Sequence, residues 1–155
     1  MPPDIPDGYL PFTMSMGFVD HVGPLYWIPD KERFRMAFRV EARHLNPAGI
    51  AHGGMLFTAA DMTLSLGTFV IAEVNAFLPT VHMDCEFLAP ARLGDWVEGR
   101  VRINRATRRM AFATCTLEVE GTAVLRASAV MVIPKPDDKR FQIWPLPLGR
   151  RDDGA

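Results

Sequence analysis

The chain has 155 residues, of which 48% are hydrophobic and 23% charged, and its formal net charge is -1. That length suits one domain with a sizeable core. A near-neutral chain without a concentrated basic tract lacks the electrostatic footprint of a nucleic-acid binder, whereas a small polyanion needs only a local cluster of cations.

Residues 1–16 contain Pro2, Pro3, Pro6 and Pro11 and are expected to be an arm with little regular structure. Phe12, Met14, Met16 and Phe18 alternate, so the end of the arm is expected to lie against the body or a partner subunit. Gly17 to Trp27 fits either an irregular edge strand or a short helix, and Pro24 and Pro29 argue against a long central strand. From Arg33 to Arg43, Phe34, Met36, Phe38 and Val40 alternate with charged residues, the pattern of a half-buried strand.

Asn46-Pro47 then turns the chain into Gly53-Gly54 and an apolar run, Met55 to Val74, that reads as a helix buried on most sides. Within it Thr58, Asp61, Ser65 and Thr68 form one narrow polar stripe. A carboxylate in such a helix needs hydrogen-bond partners, a wet cleft or a chemical task. Two glycines at the helix start let a ligand approach the backbone, where unpaired N–H groups favour negative charge.

Downstream, Val81, Met83, Cys85 and Phe87 alternate with Thr80, His82, Asp84 and Glu86, which places Thr80 on the outer side with His82 and Asp84. Val97, Gly99, Val101 and Ile103 form a further inward row, Asn104 to Met110 reads as a polar hairpin connection, and Ala111 to Val119 and Val124 to Ile133 complete the strands. Glu120-Gly121 reads as a tight turn. The prolines from Pro134 onward disfavour another strand, although Phe141, Ile143 and Trp144 are placed to dock on the domain. The expected organisation is an arm at 1–16, one domain at 17–133 and a C-terminal extension at 134–155. Cys85 and Cys115 read as buried free thiols. With no secretory signal at Met1-Pro2-Pro3-Asp4, they suggest a cytoplasmic location. Asp61 and its hydroxyl stripe argue against a membrane span.

The pattern Asn46, Gly49, His52-Gly53-Gly54 and Asp61, followed by Thr80 through Pro90, Leu93 and Gly94, resembles the hotdog-fold acyl-CoA thioesterases of the phenylacetate-pathway branch. The resemblance spans roughly Arg39 to Ile133. It implies an α+β fold in which an antiparallel sheet wraps one long central helix, as the strand pattern also suggests. It further implies hydrolysis of an acyl-CoA thioester, with Asp61 as general base or nucleophile and the Gly53 N–H as oxyanion donor. Asn46 matches a residue that orients the carbonyl or water. His52 matches one that supports the loop or touches the thioester, and Thr80 one that holds water near the acid.

Gly53 and Asp61 are eight positions apart, about 12 Å along a helix, too far for one site within a chain. A two-fold interface brings the helix start of one subunit to Asp61 of another, as the resemblance also implies, in a homodimer or a homotetramer. Arg105, Arg108 and Arg109 gather positive charge suited to the phosphates of coenzyme A. No metal-ligand spacing, cofactor motif or Gly-x-Ser-x-Gly elbow is present. A hotdog-fold hydratase or dehydratase and a non-catalytic acyl-CoA binding module remain as alternatives.

Overall fold

A computed structural model of the protein describes residues 4–142; the expected docking of Ile143 and Trp144 lies outside them. The centre is helix α2, Gly53–Ile71, which starts two residues before the expected run and ends three before it. His52 caps its start, and Glu73, at φ 54°, has left helical geometry. Met55, Leu56, Met62, Leu64, Leu66, Phe69 and Val70 are buried around its circumference. It is long and apolar enough to cross a membrane, and 67% of its most apolar window is buried inside the fold, as suits a core helix.

Around α2 curls one seven-stranded antiparallel sheet in the order β1-β2-β3-β5-β6-β7-β4. The strands are β1 Leu10–Pro11, β2 Tyr26–Ile28, β3 Arg35–Arg39, β4 Thr80–Phe87, β5 Trp96–Ala106, β6 Met110–Val119 and β7 Thr122–Val132. Together they make the α+β hotdog architecture. Phe34, Met36, Phe38 and Val40 are buried as their alternation requires. Two glycines bring helix and sheet into close contact. A Cβ on Gly67 would sit 2.3 Å from Val101 Cγ1, and one on Gly99 2.3 Å from Thr63 Oγ1.

Three local readings change. Gly17 to Trp27 holds a short helix, α1 Phe18–Val22, and the start of β2, rather than one or the other. The arm contributes β1 to the sheet edge, and Phe12 packs edge-on against Trp27 at 5.2 Å. Strand β5 runs on to Ala106 through an irregularity between Ile103 and Arg105, so the connection to β6 shrinks to Thr107–Arg109. Polar residues persist in that strand because both faces near its end are exposed. Glu120 and Gly121 form the tight turn, both at positive φ.

Past β7 the chain returns to the sheet end where β4 begins. Phe141 stacks on Phe77, with ring centroids 6.2 Å apart and planes 10° apart, and the Phe77 N–H donates to the Phe141 carbonyl at 2.9 Å. Cys115 is buried and its thiol is pushed up to about 12 by that burial, whereas Cys85 is half-buried; both are free.

Candidate functional site

Asp61 lies on the one face of α2 that the sheet does not cover, and it is only partly accessible. Burial raises the pKa of its carboxyl above the ordinary value, against a smaller opposing effect of a hydrogen bond from Thr80. The Thr80 hydroxyl donates to Asp61 Oδ1 at 3.0 Å. Among the described residues no other side chain hydrogen-bonds the carboxylate and no cation pairs with it, so Oδ2 is available to a further donor.

Thr80 reaches Asp61 because of an irregularity in β4. Strict alternation places Thr80 outward with His82 and Asp84, yet Thr80 pairs with Met131, which is fully buried. The register shifts between Thr80 and His82, leaving Val81 as an extra residue, 57% exposed. Such a bulge turns the next side chain to the other face. Thr80 therefore points at α2, and the outward placement read from alternation is corrected.

The hydroxyls of the stripe do something different from satisfying the acid. Thr58 Oγ1 donates to the Gly54 carbonyl at 2.8 Å and Ser65 Oγ to the Asp61 carbonyl at 2.7 Å, each one turn back along the helix. Thr68 is fully buried and its hydroxyl has no partner among the described residues.

At the helix start, His52 Nδ1 accepts the Gly54 N–H at 2.8 Å, and the His52 carbonyl takes the N–H groups of Met55 and Leu56 at 2.9 and 3.2 Å. That leaves the Gly53 N–H as the orphan donor, with no acceptor among the described residues. His52 is thus a helix cap. The Phe87 ring covers the Gly53 Cα, 3.2 Å from where a Cβ would stand.

Asn46 Oδ1 accepts the N–H of Ala48 at 2.9 Å and, more weakly, that of Ile50 at 3.4 Å, which shapes the loop into the helix. Its side-chain NH2 stays free among the described residues. Arg105, Arg108 and Arg109 stand exposed at the β5–β6 hairpin, none in a salt bridge among the described residues. His82 and Asp84 lie on the outer face, 3.4 Å apart, with Ser128 donating to Asp84 at 2.8 Å. Among the large apolar residues of α2, Met62, Leu64 and Phe69 are core and Phe57 is 37% exposed. No group of three or more metal-ligating side chains occurs among the described residues.

The structure thus joins Asp61 to Thr80, and His52 to the Gly53–Gly54 turn, and keeps those two halves apart along one helix. Alternation alone misses the Val81 bulge and the Phe87 cover on Gly53. The bulge leaves Val81 exposed and turns Thr80 inward, and it is set by the pairing with β7, which the hydrophobic pattern of β4 does not encode.

Comparison with known proteins places the chain in a wider group. The sequence profile of the thioesterase superfamily matches residues 48–125. PA0474 of Pseudomonas aeruginosa, named only provisionally as an esterase, is 34% identical over 132 residues, covering 84% of this chain and 98% of its own. Acyl-coenzyme A thioesterase 13 of Mus musculus is 28% identical over 96 residues, 62% of this chain and 68% of its own. The solved structure of smu.793 from Streptococcus mutans, bound to acetyl CoA, shares the fold at a TM-score of 0.60 and 22% identity, covering 65% of this chain and 80% of its own.

Proposed function

Because this chain belongs to the thioesterase superfamily, we propose that it hydrolyses an acyl-CoA thioester to free CoA and a carboxylic acid. The observation that carries the reading is a half-buried carboxylate with a raised pKa, one oxygen held by a hydroxyl and the other available. A carboxylate so placed is a general base for water.

In this reading Asp61 Oδ2 takes a proton from water while Thr80 fixes Oδ1. The water oxygen bonds to the thioester carbonyl carbon, and the charge passes to the carbonyl oxygen. An orphan backbone N–H at a helix N-terminus stabilises that charge, and the Gly53 N–H is the one at hand. The Asn46 side-chain NH2 helps align the carbonyl. When the oxyanion collapses the C–S bond breaks, and the proton held by Asp61 passes to the leaving thiolate. Direct attack by Asp61, through a mixed anhydride that water then hydrolyses, is the alternative route.

Two copies complete the site. Strand β4 ends the sheet with its outer edge bare and carries exposed Val81 and Phe87, and such an edge invites another strand. Antiparallel pairing of two β4 edges about a two-fold axis lays the Thr80 end of one beside the Phe87 end of the other. Since Phe87 covers Gly53 in its own chain, the partner's Gly53 is carried toward Asp61. The homodimer then holds two equivalent sites; pairing of dimers into a homotetramer is compatible with this and unnecessary for it.

The CoA phosphates fall to Arg105, Arg108 and Arg109. Thr80 pairs with Met131, Met131 with Ala111 and Ala111 with Ala106, so the hairpin lies at the Thr80 end of the sheet. Ala111 is two strands from Thr80, roughly 10 Å away.

The test is release of free CoA from aryl-acetyl, benzoyl, short-chain and medium-chain CoA thioesters by wild type and Asp61→Asn in parallel. Release that depends on Asp61 is expected. Folded protein that binds these thioesters and releases no CoA would contradict the reading, as would double-bond chemistry with the thioester intact, which marks a hydratase.

A further inference from the structure

The C-terminal segment after β7 builds a feature next to the reactive end of the sheet that the hydrolytic steps do not use. Two turns fold it back: the Asp138 N–H donates to the Lys135 carbonyl at 3.0 Å, and the Phe141 N–H to the Asp138 carbonyl at 3.2 Å. Phe141 then stacks on Phe77, three residues before Thr80, hence within about 10 Å of it. On Phe141 lies the Arg140 guanidinium, its Cζ 5.2 Å from the ring centroid.

Arg140 is fixed at its edge. Nε donates to Asp138 Oδ1 at 2.9 Å and Nη2 to Asp138 Oδ2 at 2.7 Å, a two-pronged pair. The Arg140 side chain is nevertheless 79% exposed. A guanidinium whose edge is engaged offers a ligand its flat face, and guanidinium planes stack nucleobases. Beside this stack runs the β5–β6 hairpin. The Ile133 N–H donates to the Arg109 carbonyl at 2.8 Å, and the charge of Arg109 adds to the stronger effect of Arg140's hydrogen bonds in holding Asp138 below the ordinary carboxylate range.

We propose that Phe77, Phe141 and Arg140 form a stacked dock for the adenine of the CoA substrate, with Arg108 and Arg109 of the adjacent hairpin on its phosphates. This rests on the acyl-CoA reading and extends it: the C-terminal extension becomes the part that recognises the nucleotide, and the acyl group plays no part there. A base on a stack is held through its π-face, whereas phosphate is held through charge, so the two contributions separate experimentally.

The experiment is calorimetric titration of the full chain with adenosine 3′,5′-bisphosphate and, separately, with inorganic pyrophosphate. Arg140→Ala and Arg140→Lys are each expected to weaken the bisphosphate about fivefold or more, the low end of a lost base stack, and to leave pyrophosphate unchanged. Lysine keeps the charge and loses the plane. Phe141→Leu, which keeps apolar bulk, is expected to act like Arg140→Ala with its melting temperature little altered. Arg108→Ala is expected to weaken both probes.

Unchanged bisphosphate affinity in both Arg140 variants, or a wild type that binds neither probe, overturns the proposal. The acyl-CoA hydrolysis reading fails separately, by absence of Asp61-dependent CoA release. A protein that keeps Arg140-dependent nucleotide binding and releases no CoA would retain the dock and lose the reaction.

Discussion

Asp61 is a carboxylate in a setting that favours its protonated form, and both its chemistry and its cost follow from that. As the proposed base it must be ionised, so turnover is expected to fall as pH falls through a pKa above the ordinary value of 3.8. Thr80→Val removes the hydrogen bond that favours the charged form. It should move the acid limb of the rate profile to higher pH and lower kcat by about tenfold or more, given what a hydrogen bond to a charged group contributes; an unmoved limb would separate Thr80 from the acid. Asp61→Asn should cut kcat by about 10²–10⁴-fold, the span of general-base catalysis. The same substitution has a stability signature. Burial penalises ionised Asp61 in the fold and not in the unfolded chain, so its favourable contribution is complete below the unfolded pKa and lost as pH rises through the folded one. Asp61→Asn is therefore expected to raise Tm at neutral pH, with the gain vanishing by roughly pH 3. A gain independent of pH would point away from ionisation.

The acid was legible because a lone carboxylate in an apolar helix stands out against its neighbours. Its partner was named only through the family resemblance and not through the pattern, since Thr58 and Ser65 share its stripe and yet bond their own helix carbonyls, while the Thr80 hydroxyl arrives from strand β4. At the scale of elements the same contrast recurs. Helix α2, β3 and β6 declare themselves by periodicity, but the bulge at Val81 is set by the register against β7, which the pattern of β4 alone does not carry. Deleting Val81 should close the bulge and keep Thr80 opposite Met131 on the inner face, so the rate profile is expected to stay near that of wild type; a shift like that of Thr80→Val would contradict this register. Close approach of helix to sheet was equally hidden, because a glycine in a helix reads as a weak point rather than a contact. Gly67→Ala gains about 1 kcal/mol of helix propensity but drives a Cβ to 2.3 Å from Val101. Overpacking of this kind costs about 1–3 kcal/mol, so the denaturant midpoint is expected to fall. A rise would mean that Val101 and Phe34 give way freely.

At the scale of the molecule, one chain holds both halves of the proposed site on one helix, with the acid eight residues along from the oxyanion donor. That separation is legible in the spacing of the residues alone; which surface could close it is not, because strand order depends on pairing among residues distant in sequence. The sheet order places β4 at the edge with Thr80 and Phe87 at opposite ends, and this edge is the surface proposed to close it. The central claim is that acid and oxyanion donor come from different copies, and subunit mixing tests it most directly. Asp61→Asn chains and Asn46→Ala chains, the latter expected to lose activity by misaligning the carbonyl at the helix start, would be unfolded together, refolded, and assayed for CoA release. With random two-fold pairing, half of the dimers are mixed and one of their two sites is intact, so recovery of about a quarter of wild-type activity is expected. A refolded, dimeric mixture no more active than its parents would place both groups in one chain and contradict the account.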